Sequence, residues 1–189
     1  MREEIMEKRK TGRVIVAILL ACICGLACGG VGLVVFFAPN IYQFSLDQSS
    51  LNVGTLAPDF ELTALSGETV RLSQYRGQPV LLTFGATWCP DCRAETSQLQ
   101  ELHVSHPELN ILAVDSKESP DIVQNFVDDF GITYPILLDA DGTASDLYRV
   151  FAIPTGLFID AEGIIRAKVI ENVTPQLLAE KLPLIGIEP

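Results

Sequence analysis

Apolar and polar residues change their period several times along the chain, and each change marks an element. Val14–Ala38 is a run of 25 residues without a charge. At about 1.5 Å per residue it is long enough to cross a hydrocarbon core of roughly 30 Å with some tilt. It predicts one transmembrane anchor over 14–38, between a tail at 1–13 and a tether at 39–52. Beyond 53 the pattern is that of one folded domain, 53–189. Asp59–Leu62 alternates and predicts a strand, paired through the Ser66-Gly67-Glu68 turn with Thr69–Leu72. Pro79–Phe84 and Ile111–Asp115 are almost continuously apolar, as strands buried on both faces are. Pro90 opens a helix reaching about His103, and Ser119-Pro120 opens another to about Phe130, stopped by Gly131. A strand at Tyr134–Leu138, a short helix at Thr143–Tyr148, a hairpin of Thr155–Asp160 with Ile164–Ile170, and a last helix from Thr174-Pro175 to about Leu182 complete the order. Strands alternating with helices before a terminal hairpin predict an α/β fold, with a mixed central sheet and helices on both faces.

Charge gives the two parts different surroundings. Of 13 basic and 24 acidic residues in the 189-residue chain, residues 1–38 carry five basic and three acidic, leaving the rest strongly acidic. Lys8, Arg9, Lys10 and Arg13 precede the apolar run, whereas 39–53 holds only Asp47. The positive-inside rule then places the N-terminus in the cytoplasm and the domain outside it, on a single-pass cell-membrane protein. A cleaved signal peptide fits less well, because its apolar region is usually about 7 to 15 residues. The faint lipobox Leu19-Leu20-Ala21-Cys22 would leave Ile23–Phe37 as an apolar tail. Cys22, Cys24 and Cys28 read as small apolar filler in the anchor. An acidic domain also argues against nucleic acid as a partner, since phosphate binding needs a basic face.

The chemistry centres on Trp88-Cys89-Pro90-Asp91-Cys92, between a buried strand and a helix. Three residues apart on a helix, the two sulfurs share a face within disulfide reach. Free N–H groups and the positive helix end favour a thiolate at Cys89, the expected exposed attacker, while Cys92 one turn deeper resolves the mixed disulfide. No other cysteine follows residue 28, so a four-cysteine metal site within the domain is excluded. His103 and His106 fall at the far end of the same helix and read as surface residues. A purely structural bond is a weak alternative, because so small a loop removes little chain entropy.

Gly54–Phe60 and Gly77–Cys89, with Phe151-Ala152-Ile153-Pro154-Thr155-Gly156-Leu157-Phe158-Ile159-Asp160, resemble the redoxin branch of the thioredoxin superfamily. The membrane-anchored thiol–disulfide oxidoreductases of the TlpA/ResA type are the nearest match. That resemblance implies a thioredoxin-like fold with Pro154 in cis, facing a redox-active disulfide of Cys89 and Cys92. It implies that Trp88, Pro90, Ile153 and Pro154 contact an extended protein substrate, and that Glu95 tunes proton transfer. It implies no cofactor and no metal. The partners it implies are a protein carrying a disulfide, apocytochrome c among them, and a membrane thiol electron donor, with the bilayer held through 14–38. The chain departs from the pattern in two places. Asp91 stands before the second cysteine, where relatives often have proline, and disfavours a Cys92 thiolate. Thr83 stands where thioredoxin has a buried aspartate. Two other classes fit less well. A thiol peroxidase resembling peroxiredoxins needs Pro and Thr where Leu82 and Ala86 stand, and a Sco-type copper-binding protein needs a wider cysteine gap and a later histidine.

Overall fold

The alternating and apolar runs form a seven-stranded sheet in the computed structural model, which describes residues 51–188. The predicted tail, the anchor with its three cysteines and most of the tether lie outside the described residues. Among the described residues no helix is long and apolar enough to cross a membrane. The elements are β1 (Glu61–Ala64), β2 (Thr69–Arg71), β3 (Val80–Gly85), α1 (Pro90–Ser105), β4 (Asn110–Ser116), α2 (Pro120–Phe130), β5 (Ile136–Asp139), α3 (Thr143–Leu147), β6 (Thr155–Ile159), β7 (Ile165–Val169) and α4 (Pro175–Lys181). Single 3-10 turns follow β2 and α4. The strand order is β2-β1-β5-β4-β3-β6-β7, so β2 and β7 are the edges. β3, β4 and β5 run parallel, and the remaining pairs are antiparallel. Arg71 of β2 pairs with Glu61 of β1.

Period-two alternation sends β3 and β4 into two separate cores. Val80, Leu82, Phe84, Leu112 and Val114 face α3 and the first 3-10 turn, with Tyr148 and Phe60. Leu81 and Ile111 face the other way, with Leu99 and Leu102 of α1, Val123 of α2 and Leu178 of α4. Helices therefore cover both faces, as expected. By the same alternation Thr83, Gly85, Ala113 and Asp115 lie on the α1–α2 face, and Gly85 stands beside Asp115 in the parallel register.

Some boundaries differ from the sequence expectation for definable reasons. β1 begins at Glu61 rather than Asp59, because the Asp59 carboxylate instead accepts a bond from the Ser73 N–H at 2.8 Å. β5 begins at Ile136, because Pro135 has no N–H to give the ladder. Gly131, at φ 62°, ends α2 in the left-handed conformation.

Candidate active site

β3 ends at Gly85, and the chain turns through Ala86–Trp88 into α1. Cys89 is the residue just before the helix, and Pro90 occupies its first position, where the missing N–H costs nothing. Cys89 and Cys92 form a disulfide with their Cα atoms 5.2 Å apart. The Cys92 N–H donates to Cys89 Sγ at 3.1 Å, so sulfur caps the helix. An oriented N–H and the positive helix end stabilise negative charge at Cys89 once the bond opens. Both cysteines are closely covered in this oxidised state, at 4% and 8% exposure. The expected exposure of Cys89 over Cys92 is therefore absent, because the Ile153–Pro154 segment lies against it.

That segment forms the front of the site. The Ile153–Pro154 peptide is cis, and the Ile153 carbonyl oxygen lies 3.9 Å from Cys89 Sγ. With no proton on the oxidised sulfur this is a contact and not a hydrogen bond. Trp88 is 68% exposed, and Pro90 is exposed beside it. Phe151, two residues before Ile153, is 90% exposed. Large aromatic surface left in water beside a reactive bond is unusual for a domain with a well-filled core. In the sequence Phe151 is one residue of a matching stretch; its exposure follows from the loop geometry.

The loop is anchored from behind. The Thr87 N–H and hydroxyl both donate to the Glu118 carboxylate, at 2.5 and 2.7 Å. Arg93 donates to the Thr87 carbonyl at 3.2 Å, and its guanidinium rests 4.9 Å from the Phe130 ring centroid. Arg93 reaches Thr87 from six positions on, at the start of α1, whereas Glu118, 31 positions away, is brought there only by the fold.

Behind the disulfide, Glu95 is 95% withdrawn from solvent, at 5% exposure, and accepts a bond from the Val173 N–H at 2.8 Å. Burial pushes its carboxyl up to about 7; the Val173 bond opposes this and the charge of Asp91 adds to it. Glu95, Cys92, Thr83 and Asp115 line one half-open cavity of about 50 Å³, together with Val123, Phe126 and Tyr134. Gly85 packs against Cys92, and a Cβ there would stand 3.4 Å from its Sγ, in van der Waals contact. In the sequence pattern Asp115 is the end of a buried strand. Its side chain is buried, and its Oδ1 has no hydrogen-bond partner among the described residues. Burial, then the neighbouring Glu118 carboxylate, raise its carboxyl well above the usual range.

His103 and His106 are half-buried, contrary to the surface expectation. The His103 ring meets Tyr134 edge-on with centroids 6.1 Å apart, and His106 Nε2 lies 3.1 Å from the Glu188 carbonyl oxygen. Among the described residues no three His, Cys, Asp or Glu side chains gather as a metal site.

Cysteines paired at the head of a helix, opposite a cis-proline strand end, are built to pass a disulfide to and from another thiol pair. The class is a thioredoxin-like thiol–disulfide oxidoreductase. The chain belongs to the AhpC/TSA family, which matches residues 53–168. It is 35% identical over 150 residues to the thioredoxin-like protein YneN of Bacillus subtilis, covering 77% of this chain and 88% of that one. It is 35% identical over 145 residues to the thiol-disulfide oxidoreductase ResA of Geobacillus kaustophilus, covering 76% and 83%. Among solved structures, StoA of Bacillus subtilis superposes with a TM-score of 0.58 at 27% identity, over 65% of this chain and 95% of that one.

Proposed function

We propose that this is a membrane-anchored, extracytoplasmic reductase of protein disulfides. Cys89 attacks the substrate disulfide, and Cys92 then displaces the product dithiol and leaves the Cys89–Cys92 bond. The observation that carries the reading is the placement of Cys89 Sγ: it receives the Cys92 N–H at the start of α1 and lies beside the Ile153 carbonyl. An extended substrate strand pairing with the Ile153 backbone, with Pro154 and Pro90 flanking it and Trp88 covering it, brings its disulfide to that sulfur. Glu95 takes part in proton transfer at Cys92. The uncharged run 14–38 behind a basic flank supports the anchor and the outward orientation. Outside the cytosol no reducing thiol pool restores the dithiol, so a membrane thiol donor does. By analogy with the TlpA/ResA-type proteins the chain resembles, the pathway is cytochrome c maturation or similar thiol maintenance, with apocytochrome c as a substrate.

The test is insulin reduction by the full-length protein in detergent, against Cys89→Ser, together with the reduction potential of the cysteine pair. Activity lost in the variant and a potential near or below roughly −250 mV support a reductase. A potential near about −120 mV makes the protein a disulfide donor and sinks the maturation reading.

A further inference from the structure

The resolving cysteine poses a chemical problem. Cys92 is 8% exposed and becomes a nucleophile only after losing its proton, and bulk water reaches it poorly. The group that takes this proton has to share its enclosure. The cavity behind the disulfide has room for about three waters and is bounded by two carboxyl groups, Glu95 and Asp115. Glu95 is committed through one oxygen to the Val173 N–H. Asp115 is 7% exposed, lies beside Glu118, and has no hydrogen-bond partner at Oδ1 among the described residues, an arrangement suited to a bond with water. It lies on the strand face that α1 covers, next in register to Gly85, which packs against Cys92.

We propose that Asp115 exchanges a proton with Cys92 through water held in this cavity, and so acts beside Glu95 as a positioning residue for the resolving step. The inference rests on Cys89 as attacker and Cys92 as resolver. In the mixed disulfide, the Cys92 thiol passes its proton through the water to the Asp115 carboxylate. The Cys92 sulfur attacks Cys89 Sγ, the bond between Cys89 and the substrate breaks, and the substrate sulfur leaves as a thiolate with the electron pair. The cysteines are oxidised to the Cys89–Cys92 disulfide, and the substrate disulfide is reduced to a dithiol. When a donor thiolate attacks Cys89, Cys92 departs as a thiolate and Asp115 returns the proton.

The surroundings suit the exchange. Glu118 stands on one side of Asp115, and Glu95 and Tyr134 lie across the cavity, while the facing residues of α2, Val123 and Phe126, are uncharged. Arg93 is engaged with Thr87 and the Phe126 and Phe130 rings. With burial and a neighbouring carboxylate both opposing its ionisation, Asp115 moves toward the range of a thiol, where transfer in either direction is close to balanced.

The reduced full-length protein in detergent, mixed with one equivalent of dithiobis-nitrobenzoate, releases one thionitrobenzoate as Cys89 attacks and a second as Cys92 resolves. Stopped-flow absorbance across neutral pH separates the two phases. In Asp115→Asn the second phase is expected to slow about tenfold near neutral pH, with its pH midpoint moved and the first phase unchanged. Asp115→Glu is expected to restore much of the rate. A second phase with wild-type rate and pH profile in Asp115→Asn overturns the proposal, whereas a missing first phase in the wild type overturns the assignment of Cys89 instead. Should Asp115→Asn fail to fold, carbon-13 titration of Asp115 in the wild type decides. Its midpoint is expected to differ between the disulfide and dithiol forms, and an identical midpoint overturns the proposal.

Discussion

The two sides of the disulfide are built from opposite materials. In front are exposed aromatic rings, a proline and a backbone carbonyl: Trp88, Phe151, Pro90 and the Ile153 oxygen. Behind are buried acids around a small cavity: Glu95 and Asp115, with Glu118 securing the loop above. The front meets another polypeptide and must stay adaptable, so it uses surface that binds without demanding a charge partner. The back handles protons, and only there does low dielectric move carboxyl groups toward neutral pH. One bond is thus served by recognition on one side and proton management on the other.

Substitutions can break or sharpen that division. The largest effect is expected for Cys89→Ser, which removes the attacking sulfur; insulin turbidity should fall to the uncatalysed background. Next is Glu95→Gln. Its resolving phase is expected to slow by about tenfold or more, and the variant should gain stability at alkaline pH. The sign follows from the raised carboxyl of Glu95, about 7 when folded against an ordinary 4.5. The folded state holds the proton more tightly, so stability declines as pH rises from about 4.5 to about 7 and stays reduced above it. Removing the charge should recover about 2 to 3 kcal/mol at pH 8, read from denaturant melts at two pH values. A pH-independent difference would show that Glu95 acts through packing alone. Trp88→Ala comes third: KM for a protein disulfide should rise about fivefold while dithiobis-nitrobenzoate kinetics stay unchanged. Equal losses with both reagents would erase the distinction between front and back. The smallest effect is expected for Glu118→Gln, which weakens the two bonds to Thr87 and costs about 1 kcal/mol of stability, seen as a lowered Tm.

The front was the more legible side in the sequence. Trp88, Cys89, Pro90 and Cys92 are contiguous, and Ile153-Pro154 falls in a second recognisable stretch, so local pattern suffices. The strand order was implied by apolar runs and turn signals, with the starts of β1 and β5 misplaced where Asp59 and Pro135 divert the backbone. The back is assembled from three distant segments. Asp115 looked like a polar strand end, although the alternation through Ile111 and Ala113 already assigned it to the face that α1 covers. Glu118 sits in an exposed-looking loop, and nothing local says that its carboxylate grips Thr87 across 31 positions. His103 is half-buried because the Tyr134 ring arrives from another segment, which helix periodicity cannot give.

The edges of the sheet carry a consequence for a protein that acts on the disulfides of other proteins. Any open strand edge is a template on which a foreign extended segment can pair and aggregate. β2 is three residues long and flanked by the Arg71–Glu61 pair; β7 is five long and interrupted by Arg166 and Lys168. Neither edge offers a long uncharged ladder. Among the described residues, a substrate strand finds its inviting stretch of backbone at the Ile153 segment beside the sulfur, and not along the flanks of the sheet.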